Sequence, residues 1–499
     1  MIATDVSFGT LNYAILLVYL AAMVGIGLLF AGRQKSTEDY FLAGRNMPWL
    51  VVGMSMFASV TSASSYIGIP GIAYEENISL FVMGLVGIIV APILIVVIYP
   101  FYRSLNVTTS YEYILSRYGA AARFTVSTLF LLARLGWLGV VLYAPAMMLS
   151  VVTGINLYVA ILLMGVLATT YTIAGGLSAV LWTDVFQFVI LIAGAVWVAV
   201  TLCVSVPGGA AGIMEIAGRT GHIQVSEWRL NLFEMSGMAV GFSYFFQLMQ
   251  DYGTDQVTVQ RLMAVKTSRG MAKAIMFNAL TDVLVVGLLL FLGLGLYAHY
   301  VSFPEKLVGG ISGDRILPYY IIHELPTGVS GLLVSAIFAA AMSSMDSGVN
   351  SMSTVLVCDF VRPLRKLRRS EQHDVRLARL LTLLLGTFAT GVAFYVSRIE
   401  NIFKASSSFL GLFAGPILAL FLMGMLTRRA NFSGWLIGVF VSLPTTLWLQ
   451  HGTEVHFIYY FPFSFGICAF FGYFGSVLIG TFMGWPPTAE GNLTIWRRS

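Results

Sequence analysis

Residues 339–351 read AAAMSSMDSGVNS and follow an apolar run long enough to enter a membrane. Placed on a helix, Ser343, Ser347, Asn350 and Thr354 form one stripe, Ser344 and Ser351 lie on the next row, and Asp346 sits three residues after Ser343. Several neutral oxygens with one carboxylate make a ligand set for a hard cation, and sodium suits it. Two hydroxyls of this stripe could combine with backbone carbonyls freed where another helix is broken. Serines also bond back to the carbonyl four residues earlier, which accounts for one or two of them. A cluster with an aspartate asks for more, because an ionised group inside a bilayer costs at least about 2.5–3.5 kcal/mol and marks a functional pathway.

Two further acids stand in apolar surroundings. Asp184, in AGGLSAVLWTDVFQ (174–187), lies near the inner end of a span, where a cation could be held or released; partnership with a helix N-terminus is the alternative. Asp282 has no polar cluster around it and is expected to be paired structurally.

The elements that must position these groups are membrane helices. Hydrophobic residues make up 58% of the 499 and charged residues 10%, and apolar runs recur throughout, so the chain reads as an all-α polytopic membrane protein. Thirteen spans fit: 11–32, 48–70, 79–101, 124–150, 156–174, 180–204, 233–252, 272–298, 327–358, 377–397, 404–426, 432–450 and 457–481. The first is too long for a signal-peptide core and is expected to be retained. Alternate loops divide the Lys and Arg residues 21 to 6, with Arg134 inside a span, which predicts an outer N-terminus and a cytoplasmic C-terminus in the plasma (inner) membrane. The basic run 362–379 is expected to be a solvated loop beside anionic lipid. Three scattered cysteines imply neither a disulfide framework nor a metal cluster.

Two spans look interrupted: MSMFASVTSASSYIGIP (54–70) and SYFFQLMQDYGTDQ (243–256). Ser and Gly also serve close helix packing. The two segments lie five spans apart, however, and matched interruptions in two five-helix halves are the sequence signature of an inverted-repeat transporter. The predicted layout is one transmembrane domain over 1–499: an extra N-terminal helix (11–32), repeats at 48–204 and 233–426, and extra C-terminal helices (432–481).

At this point the chain resembles a known family, the sodium/solute symporters, which include sodium–glucose, sodium–proline, sodium–monocarboxylate and sodium–sialic acid carriers. The resemblance rests on DYFLAGR (39–45), TSYEYILSRYG (109–119), YTIAGGLSAVLWTDVFQ (171–187), GTDQVTVQR (253–261), AAAMSSMDSGVNS and GPILALFLMGML (415–426), in that order along nearly the whole chain. LYAPAMML (142–149) looks most similar to the monocarboxylate and multivitamin branch. The resemblance implies a five-plus-five inverted-repeat (LeuT-like) core. It implies a first sodium site at Ser343 and Ser344 with carbonyls of Ala58, Thr61 and Ala340, and, as in some members, a second at Asp184, Ser343, Asp346 and Ser347. Asp346 stands where such members have serine, so a strengthened second site and a salt bridge in its place both remain open. The solute would lie near Val60, Ser62, Ser65, Gln247, Gln250 and Asp251. Sialic acid carriers of the family have an arginine that aligns with Trp137; Arg134 lies one turn away, which counts against sialic acid.

The expected function is sodium-coupled import of a small organic solute, a carboxylate ahead of a sugar, polyol or amino acid. The broken-helix N-termini and Ser62 and Ser65 favour an anion, whereas Asp251 would repel one if it faces the cavity. A channel would want symmetric rings of like residues, and nothing here repeats that way. An intramembrane enzyme would want a nucleophile–base pair or histidine metal ligands, and none of the six histidines sits in mid-span. A sensor that has lost transport stands with the channel as a rival. The expected partners are sodium, the solute and membrane lipids, without nucleic acid, around a functional monomer.

Overall fold

A computed structural model describes residues 8–30, 36–105, 109–225, 228–229, 231–307, 311, 313–364, 371–398, 402–482 and 493–495. Among them the fold is helical, as a lipid-embedded chain requires when every backbone group must find its partner internally. The helices used below are α1 (Thr10–Phe30), α2 (Trp49–Val60), α3 (Ala63–Glu75), α4 (Phe81–Ile93), α5 (Ala120–Thr153), α6 (Leu157–Ser205), α7 (Gly237–Gly253), α8 (Gln256–Met263), α9 (Ser268–Ser302), α10 (Val329–Val355), α11 (Glu371–Val396), α12 (Ile402–Leu426), α13 (Phe432–Gly452) and α14 (Tyr460–Phe482).

Nine helices among the described residues are long and apolar enough to cross a membrane, and the bent pair α2–α3 makes a tenth. Three further segments of the expected thirteen are shorter: Thr10–Ile26, Leu157–Thr170 and the 17-residue α7. Length and hydropathy therefore do not reach thirteen by themselves. Val189, Val196, Val200 and Val204 of α6, Phe440 and Trp448 of α13, and Phe470 and Phe474 of α14 are exposed, which suits faces turned to lipid.

α10 runs through the centre, packed on α6, α5, α1, α11, α2 and α3. Its side chains from Leu333 to Val355 are all buried, so the polar stripe of 339–354 meets protein and not lipid. α9 packs against α2, α3 and α4. It passes α3 at Gly293, where a Cβ would fall 2.4 Å from the Pro70 carbonyl oxygen, so only glycine permits this approach.

The expected spans 156–174 and 180–204 are two helices joined without a loop, labelled together as α6, that break at Gly176 (φ 59°, ψ −174°). That backbone is open essentially to glycine alone, and a Cβ would also meet Tyr40 Cδ2 at 3.0 Å. Gly176→Ala should therefore lower stability by about 1–3 kcal/mol, read as a lower Tm in detergent; an unchanged Tm would show that the turn relaxes freely.

Candidate functional site

The first expected interruption is present. α2 ends with the Thr61 N–H donated to the Phe57 carbonyl at 2.9 Å, and α3 starts when the Ser65 and Tyr66 N–H groups bond the Ser62 carbonyl. Thr61 and Ser62 between them are extended, and the two halves meet at 62°. The carbonyls of Ala58, Ser59 and Val60 thus lie beyond the last backbone bond of α2 and are available to other donors or to a cation. Ser344 Oγ of α10 donates to the Ser59 carbonyl at 3.1 Å, which ties the hydroxyl stripe to the broken end. Ala58 and Ala340 are buried beside them.

Ser343 turns elsewhere: its hydroxyl donates to Asp184 Oδ1 at 2.5 Å. Asp184 is fully buried on α6 and its other oxygen accepts from Ser55 and from Arg261 Nη2, the latter at 3.1 Å. Arg261 also donates Nε to Ser55 at 2.9 Å, Nη1 to the Val257 carbonyl at 3.1 Å and Nη2 to Ser347. Ser347 in turn donates to Asp346 at 3.3 Å. The four residues expected around a second sodium are therefore brought together, with a guanidinium among them. The expected spans 233–252 and 272–298 leave Arg261 in a loop between them, yet it is 1% exposed on α8, whose eight residues are all buried. The motif GTDQVTVQR carries this charge at its end.

The second expected interruption is present too. α7 stops at Gly253, and Asp255 opens α8 as an N-cap whose carboxylate accepts the Val257 N–H at 2.8 Å. Arg134 of α5 pairs with Asp255 at 2.6 Å and lies 4.7 Å from the centre of the Trp137 ring.

Between the two breaks lies a cavity of about 110 Å³, bounded by α2, α3, α5, α7, α9 and α12. Val60, Ser62, Ser65, Gln247 and Asp251 line it as expected. Gln250 does not: its amide donates to Asp255 at 3.3 Å, so it braces the break. Arg134, Trp137, Tyr244 and Asp282 also reach the cavity, and none of them was a sequence-derived site residue. Asp282 was expected to be paired structurally, but among the described residues no hydrogen bond or ion pair holds its carboxylate. The bundle turns it towards the cavity, a placement that local sequence could not reveal.

The sodium:solute symporter family model matches residues 40–442. The chain belongs to that family. It is 35% identical to the sodium/sialic acid symporter NanT of Aliivibrio fischeri over 91% of this chain and 90% of the relative. It is 30% identical to the mouse sodium-coupled monocarboxylate transporter 2 over 90% and 74%. A solved sodium-coupled sialic acid symporter, substrate-bound and outward-open, superposes with a TM-score of 0.88 at 29% identity, covering 95% of this chain and 98% of that one. The protein is thus a sodium-coupled symporter of a small-molecule solute, a multi-pass membrane protein on the LeuT-like fold and not an enzyme. In this symporter the two helix breaks flank the cavity, as the fold's logic requires.

Proposed function

We propose that the solute occupies the cavity between the breaks and carries a carboxylate that Arg134 receives. One observation carries this reading. Arg134 reaches the cavity, one of its nitrogens is held by Asp255, and among the described residues its buried Nε has no hydrogen-bond partner. A guanidinium so fixed keeps donors in a planar fork that matches a carboxylate. The names of the relatives, a sialic acid symporter and a monocarboxylate transporter, lend support because both describe acids. Arg134 lies one turn from Trp137 and on the same cavity, so sialic acid returns to the acids worth testing.

The coupling sodium is placed in this proposal at the end of α2, on Ser344, Ser343 and the carbonyls of Ala58, Thr61 and Ala340. At the second site, on Asp184, Ser343, Asp346 and Ser347, the Arg261 guanidinium takes the cation's role, which favours one sodium per solute. The two repeats (48–204 and 233–426), the plasma-membrane location and the outer N-terminus belong to the same proposal.

The test is a thermal-shift panel of carboxylates, amino acids, sugars and vitamins in sodium, repeated with Arg134→Gln. Carboxylates should stabilise the wild type. The variant should bind them roughly 10–100-fold more weakly, matching the loss of a charged hydrogen bond of about 1.5–3 kcal/mol. Stabilisation by sugars or amines alone, with every carboxylate inert, would sink the carboxylate reading.

A further inference from the structure

The cavity holds more acid than the carboxylate reading uses. Asp251 closes α7 just before its break, and Asp282 faces the same space from α9. Asp282 is 8% exposed, and among the described residues neither carboxylate has a hydrogen-bond or ion-pair partner. Arg134, the cation within electrostatic reach of Asp251, is committed to a third acid, Asp255. The carboxyl and guanidinium groups on the wall are therefore Asp251 and Asp282 against Arg134, two acids to one base. Charges held this way inside a membrane protein are costly unless a ligand compensates them.

We propose that Asp251 and Asp282 form a subsite for a positively charged nitrogen on the solute. The proposal rests on the reading that the cavity holds the solute, and it narrows that solute to one bearing an ammonium or amidinium group, a zwitterion when the carboxylate at Arg134 is also present. The oxygen donors of the cavity include Thr61, Ser62, Ser64 and Ser65 at the α2–α3 break, Ser406 and Ser407 of α12, and Tyr244 and Tyr252 of α7, the two phenols within electrostatic reach of both carboxylates. A sodium ion would need several of them together, and a sodium titration decides between it and an ammonium. The apolar part of the wall includes Met83, Leu248, Val285, Val286 and Leu289, surfaces suited to the carbon skeleton that carries an ammonium.

The full-length protein, purified in detergent with sodium, can be titrated with solutes arranged in sets: a carboxylate, the same skeleton with an amino group added, and the amine without the carboxylate. The wild type should bind the amino-bearing members at least about tenfold more tightly than their amine-free counterparts. Asp282→Asn and Asp251→Asn should abolish that preference, and amine-free carboxylates should bind the variants at least as tightly as the wild type, because a repelling charge is gone. Ligand-free Asp282→Asn should melt higher than wild type, because an uncompensated charge is gone, so a folding defect would be visible as the opposite shift.

Equal affinity within each set, a preference that survives both variants, or no binding by any amine-bearing member would overturn the proposal. A sodium titration without solute covers the rival cation: a stabilising step lost in Asp282→Asn would assign the pair to sodium instead. If amines bind while all carboxylates are inert, the subsite stands and the carboxylate reading falls; the reverse result separates them the other way.

Discussion

Arg261→Ala should lose about 3–5 kcal/mol of stability, the cost of leaving a buried charge without its partner. Arg261 and Asp184 are 1% and 0% exposed and 3.1 Å apart, and the guanidinium also bonds Ser55, Ser347 and the Val257 carbonyl. Removing it strands Asp184 together with three other groups at the junction of α2, α6, α8 and α10. Asp184→Ala should cost a similar amount by stranding the arginine. Replacing both at once, Asp184→Leu with Arg261→Met, should recover much of the loss, since apolar groups of like volume replace a buried pair at little cost. Melting curves of the four proteins in detergent form the double-mutant cycle. Additive single and double losses would mean that the two charges do not act as a pair. The same set examines the cation's role: reversal potentials should give one sodium per solute in the wild type, and a ratio of two would place sodium beside Arg261 after all.

Ser344→Ala and Ser343→Ala should each raise the sodium concentration for half-maximal uptake about tenfold, corresponding to about 1.4 kcal/mol per oxygen ligand. The two act through different geometry. Ser344 touches the free carbonyl end of α2 through Ser59, so its loss weakens the ligand set where the backbone is open. Ser343 bonds Asp184, so its loss also removes a hydrogen bond to a buried carboxylate. The Ser343 variant should therefore melt lower than the Ser344 variant as well as binding sodium less well. Uptake at graded sodium, with solute held constant, checks both. Unchanged sodium dependence in the double variant would remove the hydroxyl pair from the sodium site.

The sequence by itself determined what depends on local order. Apolar runs declared membrane helices, because a bilayer admits only backbone that bonds within itself. Dense Ser and Thr before Gly and Pro marked the break at Thr61–Ser62, and amides, Asp and Gly marked the one at Thr254–Asp255; both follow from short-range conformational preference. The polar stripe of 339–354 was legible as a helix face from its spacing alone.

The tertiary structure decided which side chains meet. Spacing along α10 put Ser343 and Ser344 side by side, but the packing of α6 and α8 sends one hydroxyl to Asp184 and leaves the other on α2. Arg261 read as a loop cation because it falls between the spans 233–252 and 272–298, and it became a buried counter-ion only through contacts with residues 77 to 206 positions away. Asp282 looked like an isolated acid on an apolar helix; the direction it faces depends on the rotation of α9 against α4 and α7. Gln250 and Asp251 are neighbours in one motif, yet 100° of helical turn puts one on Asp255 and the other in the cavity. Charge compensation inside a membrane is a property of three-dimensional neighbours, and only the assembled bundle brings those neighbours together.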